Sequence, residues 1–222
     1  MTMANEETNV VRALRGLTSE SSSVRLRAAL AVGTAPDPRC VDELVGRCAV
    51  EPDFQVREML TWALTRHASA RTLPPLLGEL RSAHAQARSQ ALHTLSKIGD
   101  PLAWPAITAE LITDADDDVA RSAWRAAVVL VPEGEESALA GVLATQLGRG
   151  GRETRLSLSR ALIALGDAMT AAVGAATTDP RPGVRRHAIA TEKLSRDPDA
   201  GFDFALEEAK RIVALGPGGQ EE

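Results

Sequence analysis

One unit recurs six times along the 222 residues, and that repeat limits the fold more than any other feature. Its fullest copy runs from Ala87 to Asp100, where Ala87, Ala91, Leu95 and Ile98 fall at helical spacing on one face. Gly99 then ends the helix and Asp100-Pro101 opens the next, with a side-chain cap followed by a preset φ. Val24-Arg25, Val56-Arg57, Val119 (with Arg121 one place late), Thr154-Arg155 and Val184-Arg185 open the other copies. The starts at 24, 56, 87, 119, 154 and 184 are separated by 32, 31, 32, 35 and 30 residues. A period in this range indicates a solenoid or array. Each period holds two helical patterns and no strand pattern, which excludes a propeller and a leucine-rich horseshoe.

The expected fold is therefore all-α: a right-handed α-α superhelix, or solenoid, of about six helix pairs. A C-terminal capping helix over about 199–214 would hide the last apolar face behind Phe202 and Phe204. The repeat predicts one solenoid domain over 1–222, ordered from about 5 to 215, with residues 1–4 disordered. Expected pairs cover 5–17 and 20–32, 38–50 and 53–67, 71–82 and 84–98, 101–113 and 116–130, 134–148 and 151–165, and 167–177 and 183–195. The loop Gly148-Arg149-Gly150-Gly151 reads as the most flexible joint. Aromatic residues are 3% of the chain and Tyr is absent, so Ala, Leu, Val and Ile must build the core.

The pattern resembles the HEAT-repeat family, in the short bacterial form also called HEAT-like or phycobilin-lyase-type repeats. The carriers are Val-Arg near the start of each second helix, small and Leu residues four and eight places on, then Gly-Asp-Pro. The resemblance covers essentially the whole chain. It implies that Arg25, Arg57, Arg88, Arg155 and Arg185 are structural, each held by an acidic residue six places earlier. The matching positions in the six repeats read Ser19, Glu51, Ser82, Asp114 (where Ala120 stands in place of the arginine), Arg149 and Asp179, so three of six are acidic and the ladder is broken. The resemblance speaks to fold and little to function, because one fold hosts many functions.

Catalytic readings fail on their residues. Asp114, Asp116 and Asp118 have calcium-loop spacing, but Val119 and Arg125 stand where the loop needs Gly and Glu; a loop capping the next helix is the simpler reading. Gly148–Gly151 lacks the Lys-Ser/Thr of a phosphate loop. No His-Glu dipeptide occurs, so the iron-binding motif of HEAT-type deoxyhypusine hydroxylases is missing. The four histidines show no paired ligand spacing. No catalytic residue, metal or cofactor is assigned, and no enzymatic activity. Cys40 and Cys48 lie eight residues apart on one predicted helix, about 12 Å along its axis, too far to bond. Free thiols and an acidic, polar start fit a cytoplasmic protein, and no apolar run is long enough for a membrane span.

In such solenoids the second helices line the concave face. Six residues past each start the sequence reads Leu30, Trp62, His93, Arg125, Arg160 and Ala190, with Arg121 and Arg186 on the row two past the start and Arg66 and Lys97 ten past it. Trp62 lies away from the apolar face of Val56, Leu60 and Leu64; it either packs on a neighbouring helix or reaches a partner. Trp124 is one place off the row and half-buried by this count, and Trp104 packs among its neighbours. The net charge of −5 comes wholly from residues 111–222, with 13 basic and 18 acidic side chains against 12 of each before them. A basic stripe inside an acidic protein is a solvated face or a site for an anionic partner.

Trp62, Arg66, His93, Lys97, Arg121, Arg125 and Arg160 are the candidate partner-binding residues. The expected function is a non-enzymatic interaction module or scaffold for a protein or peptide, an acidic one suiting the arginines. The alternatives are a nucleic-acid-binding protein resembling the HEAT-like alkylpurine DNA glycosylases and a bilin-lyase-like subunit. The first is matched loosely by Trp62, Trp124, Arg121 and Arg125 and opposed by the net charge.

Overall fold

The computed structural model describes residues 2–198 together with Glu207, Lys210 and Ala214, with side chains from Val10 onward. The described residues form α-helices and short 3-10 helices with no strand, the helical-repeat fold expected from the periodicity. They fall into two compact units that divide between Ile107 and Thr108.

In the first unit the helices are α1 (Thr2–Leu17), α2 (Ser22–Thr34), α3 (Val41–Val50), α4 (Phe54–Thr65), α5 (Ser69–Glu79) and α6 (Ala85–Ile98). The second helices α2, α4 and α6 pack side by side, and α1, α3 and α5 form a second layer against them. In the second unit α7 (Ala109–Ile112), α9 (Glu136–Ala144) and α11 (Asp167–Ala176) form one layer. The other layer is α8 (Asp117–Leu130), α10 (Arg152–Ala164) and α12 (Pro182–Arg196). Continuity of one solenoid across both units remains an expectation of the repeat. The expected capping helix over 199–214 lies outside the described residues.

The helical phase read from the sequence holds in every repeat. Ala87, Ala91 and Leu95 are buried, as are Val56, Leu60 and Leu64, then Val119, Ala123 and Ala127, then Leu158, Leu162 and Leu165. Full burial of a Leu side chain contributes about 1.5–3 kcal/mol, so these rows supply the main drive for stacking. The Asp-Pro caps start their elements as expected, Asp37 accepting from the Arg39 amide at 2.9 Å and Asp100 from Leu102 at 3.0 Å; Asp53, expected inside a helix, caps α4 in the same way by accepting from Gln55 at 2.9 Å.

Three boundaries differ. Helix α1 begins at Thr2 rather than near Asn5. The expected helix over 101–113 is split into a 3-10 helix, Pro101–Ala106, and the single turn of α7. Pro105 has no amide to donate and disfavours helical backbone before it, which breaks the run. The Gly148–Gly151 loop is a fitted connector, not a loose joint. Gly148 and Gly150 sit at φ +86° and +66°. A Cβ on Gly148 would lie 3.1 Å from the Val184 amide, and one on Gly150 would lie 2.8 Å from an Asp117 carboxylate oxygen.

Candidate functional site

In the first unit, the proposed surface residues lie on α4 and α6. Trp62 is 38% exposed, so it is neither core nor fully free. One side of its ring rests on the bare backbone of α2: a Cβ at Gly33 would come within 2.2 Å of its Cζ3. Trp62 thus packs on a neighbouring helix with one face and leaves part of its ring exposed. Leu30, its counterpart on α2, is also exposed. His93 is half-buried and meets Glu58 at 3.1 Å through Nε2. Arg66 caps the end of α4 and Lys97 sits in the last turn of α6, both exposed. Gly33→Ala should lift Trp62 from its seat and cost about 1–3 kcal/mol by overpacking. Equal urea midpoints for the variant and the parent would show that the indole is not seated there.

In the second unit, Arg121 and Arg125 on α8 and Arg160 on α10 line one groove of about 320 Å³. Its apolar part includes Val128, Val129, Leu156, Ala161 and Ala164, and Glu153 is its acidic member. Glu153 is engaged by the neighbouring Arg152. Arg121 is half-buried and stands 3.7 Å from Asp118, a distance at which an exposed pair contributes little. Arg125 and Arg160 are exposed. Arg186, which the row also suggested, is half-buried on α12 and is not part of this lining. Thus the structure brings three of the seven candidates together here, while Trp62, Arg66, His93 and Lys97 belong to the first unit.

The Val-Arg arginines are structural, but not by the expected means. Arg57 Nη1 donates to the carbonyls of Glu51 and Pro52, both at 2.9 Å. Arg88 does the same to Ser82 at 2.9 Å and Ala83 at 3.3 Å, and Arg185 to Asp179 at 2.9 Å. The residue six places earlier supplies its backbone oxygen, so its side chain is free to vary. This removes the difficulty of the broken acidic ladder. Arg155 is shifted by one place, to Gly148 at 3.3 Å. Where the position is acidic, its carboxylate does something else. Glu51 reaches back one repeat and grips Arg25 with two bonds of 2.7 Å, while Arg25 Nη1 holds the Ser19 and Glu20 carbonyls at 2.8 Å. Repeats four and five carry the hook with reversed sign: Arg149 donates to Asp117 at 2.9 Å, and Thr154 donates to the same carboxylate at 3.1 Å.

These rungs tie successive helix pairs as a repeat array requires, and comparison with known proteins agrees. The pattern for HEAT repeats is matched over residues 47–128. Over that segment the chain carries HEAT repeats. Among solved structures, human deoxyhypusine hydroxylase in complex with glycerol is similar to it, with a TM-score of 0.50 and 16% identity. The similarity covers 97% of this chain and 99% of that one. At this identity it speaks for the fold alone. No curated protein matches the sequence.

The other candidate chemistry of this protein is used in its interior. Trp124, placed half-buried by the sequence, is wholly buried, and its Nε1 donates to the Ile112 carbonyl at 2.9 Å. One residue on a helix is a rotation of about 100°, enough to carry it from the surface row into the core. Ser159 and His187 meet at 3.1 Å, a pairing the sequence did not suggest. It resembles a nucleophile and its base, but the hydrogen bonds run the wrong way. The Gly148 amide donates to His187 Nδ1 at 3.0 Å, so the ring proton sits on Nε2 and faces Ser159 and the Arg155 carbonyl. A protonated Nε2 cannot accept the serine proton, and both side chains are buried. Asp116 caps α8 by accepting from the Asp118 and Val119 amides at 2.9 and 3.1 Å, the simpler reading of the Asp-rich loop. Cys40 and Cys48 are buried and free, and burial pushes the Cys48 thiol up to about 12. Among the described residues, no group of three His, Cys, Asp or Glu could hold a metal ion. No described helix is long and apolar enough to cross a membrane.

Proposed function

We propose that this HEAT-repeat protein is an interaction module that binds a protein or peptide on the exposed rows of its second helices. The observation that supports this best is the groove of the second unit. It combines an apolar floor with Arg121, Arg125 and Arg160, and Arg125 and Arg160 are exposed. Arginine and tryptophan are enriched among residues that dominate binding energy. Exposed Leu30 and Trp62 offer a second, apolar contact on the first unit. The glycosylase-like alternative loses support because buried Trp124 cannot stack on a base.

The test is affinity purification with the parent chain, with Leu30→Ser and with Arg125→Ala/Arg160→Ala, partners being identified by mass spectrometry. A reproducible partner should be lost in at least one variant while melting is unchanged, since exposed substitutions shift stability within about 0.5 kcal/mol. Identical recovery from all three would overturn the reading. Duplex DNA should bind no more tightly than ~10⁻⁶ M at physiological salt. Sub-micromolar, steeply salt-dependent binding, or release of an alkylated base, would favour the nucleic-acid alternative.

A further inference from the structure

Resting on that reading, we propose that the groove between α8 and α10 recognises an acidic peptide segment that anchors one apolar side chain between carboxylates. The inference comes from how charge and apolar surface are distributed in the groove. Three guanidinium groups, those of Arg121, Arg125 and Arg160, meet a floor that includes Leu156 and Val129, which is 53% exposed. A purely solvated basic face would not need that apolar floor, and a purely apolar site would not need the arginines.

The acidic members nearby leave the basic character in place. Glu153 is paired with Arg152, which lies outside the lining, so it subtracts little from the groove arginines. Asp118 stands 3.7 Å from Arg121 with its side chain 81% exposed, a loose pair that water screens. Arg160 makes no hydrogen bond or ion pair among the described residues. Its planar fork of donors matches a carboxylate with two parallel bonds.

Size and overall charge favour a peptide over a nucleic acid. About 320 Å³ is at the small end of ligand sites, suited to a side chain and its neighbours rather than to a duplex. The net charge of −5, contributed by residues 111–222, would repel an extended polyanion. A short acidic segment instead presents its few charges only where the arginines stand.

The test uses the full chain and fluorescence anisotropy with a labelled heptapeptide, Glu-Asp-Leu-Glu-Leu-Asp-Glu, and its amide counterpart Gln-Asn-Leu-Gln-Leu-Asn-Gln. The acidic peptide should bind at least about tenfold more tightly than the amide peptide, and more weakly as salt rises. Arg160→Ala should weaken it about tenfold with melting unchanged. Arg160→Lys, which keeps the charge and loses the fork, should fall between. Equal binding of both peptides, no loss in Arg160→Ala, or tighter binding of a single-stranded oligonucleotide than of the acidic peptide would overturn the proposal. Panning a random peptide display library separates this failure from failure of the broader reading. Binders without acidic residues that Arg125→Ala abolishes would retain the interaction module and reject the acidic ligand. A library returning no binder would reject both.

Discussion

Glu51→Ala should cost about 3 kcal/mol of stability, read as a fall in the urea midpoint at unchanged slope. Glu51 is fully buried and receives two bonds from Arg25, one from Arg47 at 2.8 Å and one from the Asp53 amide at 2.9 Å. Removing its carboxylate leaves Arg25, itself buried, with an uncompensated charge between repeats. Breaking a buried pair by deleting one partner typically costs ~3–5 kcal/mol. The lower figure applies because Arg25 keeps the Ser19 and Glu20 carbonyls. Replacing both partners, Arg25→Met with Glu51→Leu, should restore much of the loss, since the desolvation of both ions is removed together. A loss below about 1 kcal/mol in Glu51→Ala would mean the hook is only a surface contact. A double variant no better than the single one would mean its shape matters more than its charge.

Acid should destabilise the protein in two successive windows that overlap between about pH 4.5 and 4. Burial drives the His187 imidazole down to about 4 from the usual 6.5, with the Arg155 carbonyl opposing the change in part. A depressed value means that the unfolded chain takes up this proton before the folded one does. The stability contributed by neutral His187 is therefore complete above about pH 6.5 and is lost as the pH falls toward 4. Each pH step of one between those values removes about 1.36 kcal/mol, so the loss amounts to about 3 kcal/mol. Protonation at Nδ1 would also oppose the Gly148 amide that now donates to it. Glu51 responds lower. Burial pushes its carboxyl up, but the bonds from Arg25, the Asp53 amide and Arg47 outweigh burial and hold it at about 2, against an ordinary 4.5. Its contribution is present above pH 4.5 and disappears between there and 2. Denaturant melts of the parent and of His187→Gln between pH 7 and 4 would check the first window. The variant should start less stable but lose less on acidification. Parallel curves would mean that His187 is not the titrating group.

Much of the architecture was legible in the sequence because a helix that buries one face repeats its apolar residues every three or four places. That rule alone placed Leu60, Leu64, Ala91, Leu95, Leu158 and Leu162 in the core, where they lie. The Asp caps were legible for a similar reason, since a cap bonds amides two or three residues away and leaves a local signature. The same rows put Trp62, Arg125 and Arg160 outside the core.

Other features depended on partners distant along the chain, which no local pattern reveals. Arg25, Arg57, Arg88, Arg155 and Arg185 bond carbonyl oxygens, which every residue type carries, so no acidic ladder was needed to hold them. Glu51 finds Arg25 26 residues back, and His187 finds the Gly148 amide 39 residues back. Neither pairing follows from a repeat of about 32. Trp124 differs from the surface row by one position, yet that rotation decides between core and groove. Local periodicity thus settled which helix faces pack. Which polar groups meet was left to the tertiary fold, because hydrogen bonds of a few ångströms between separate repeats depend on how the backbones are brought together.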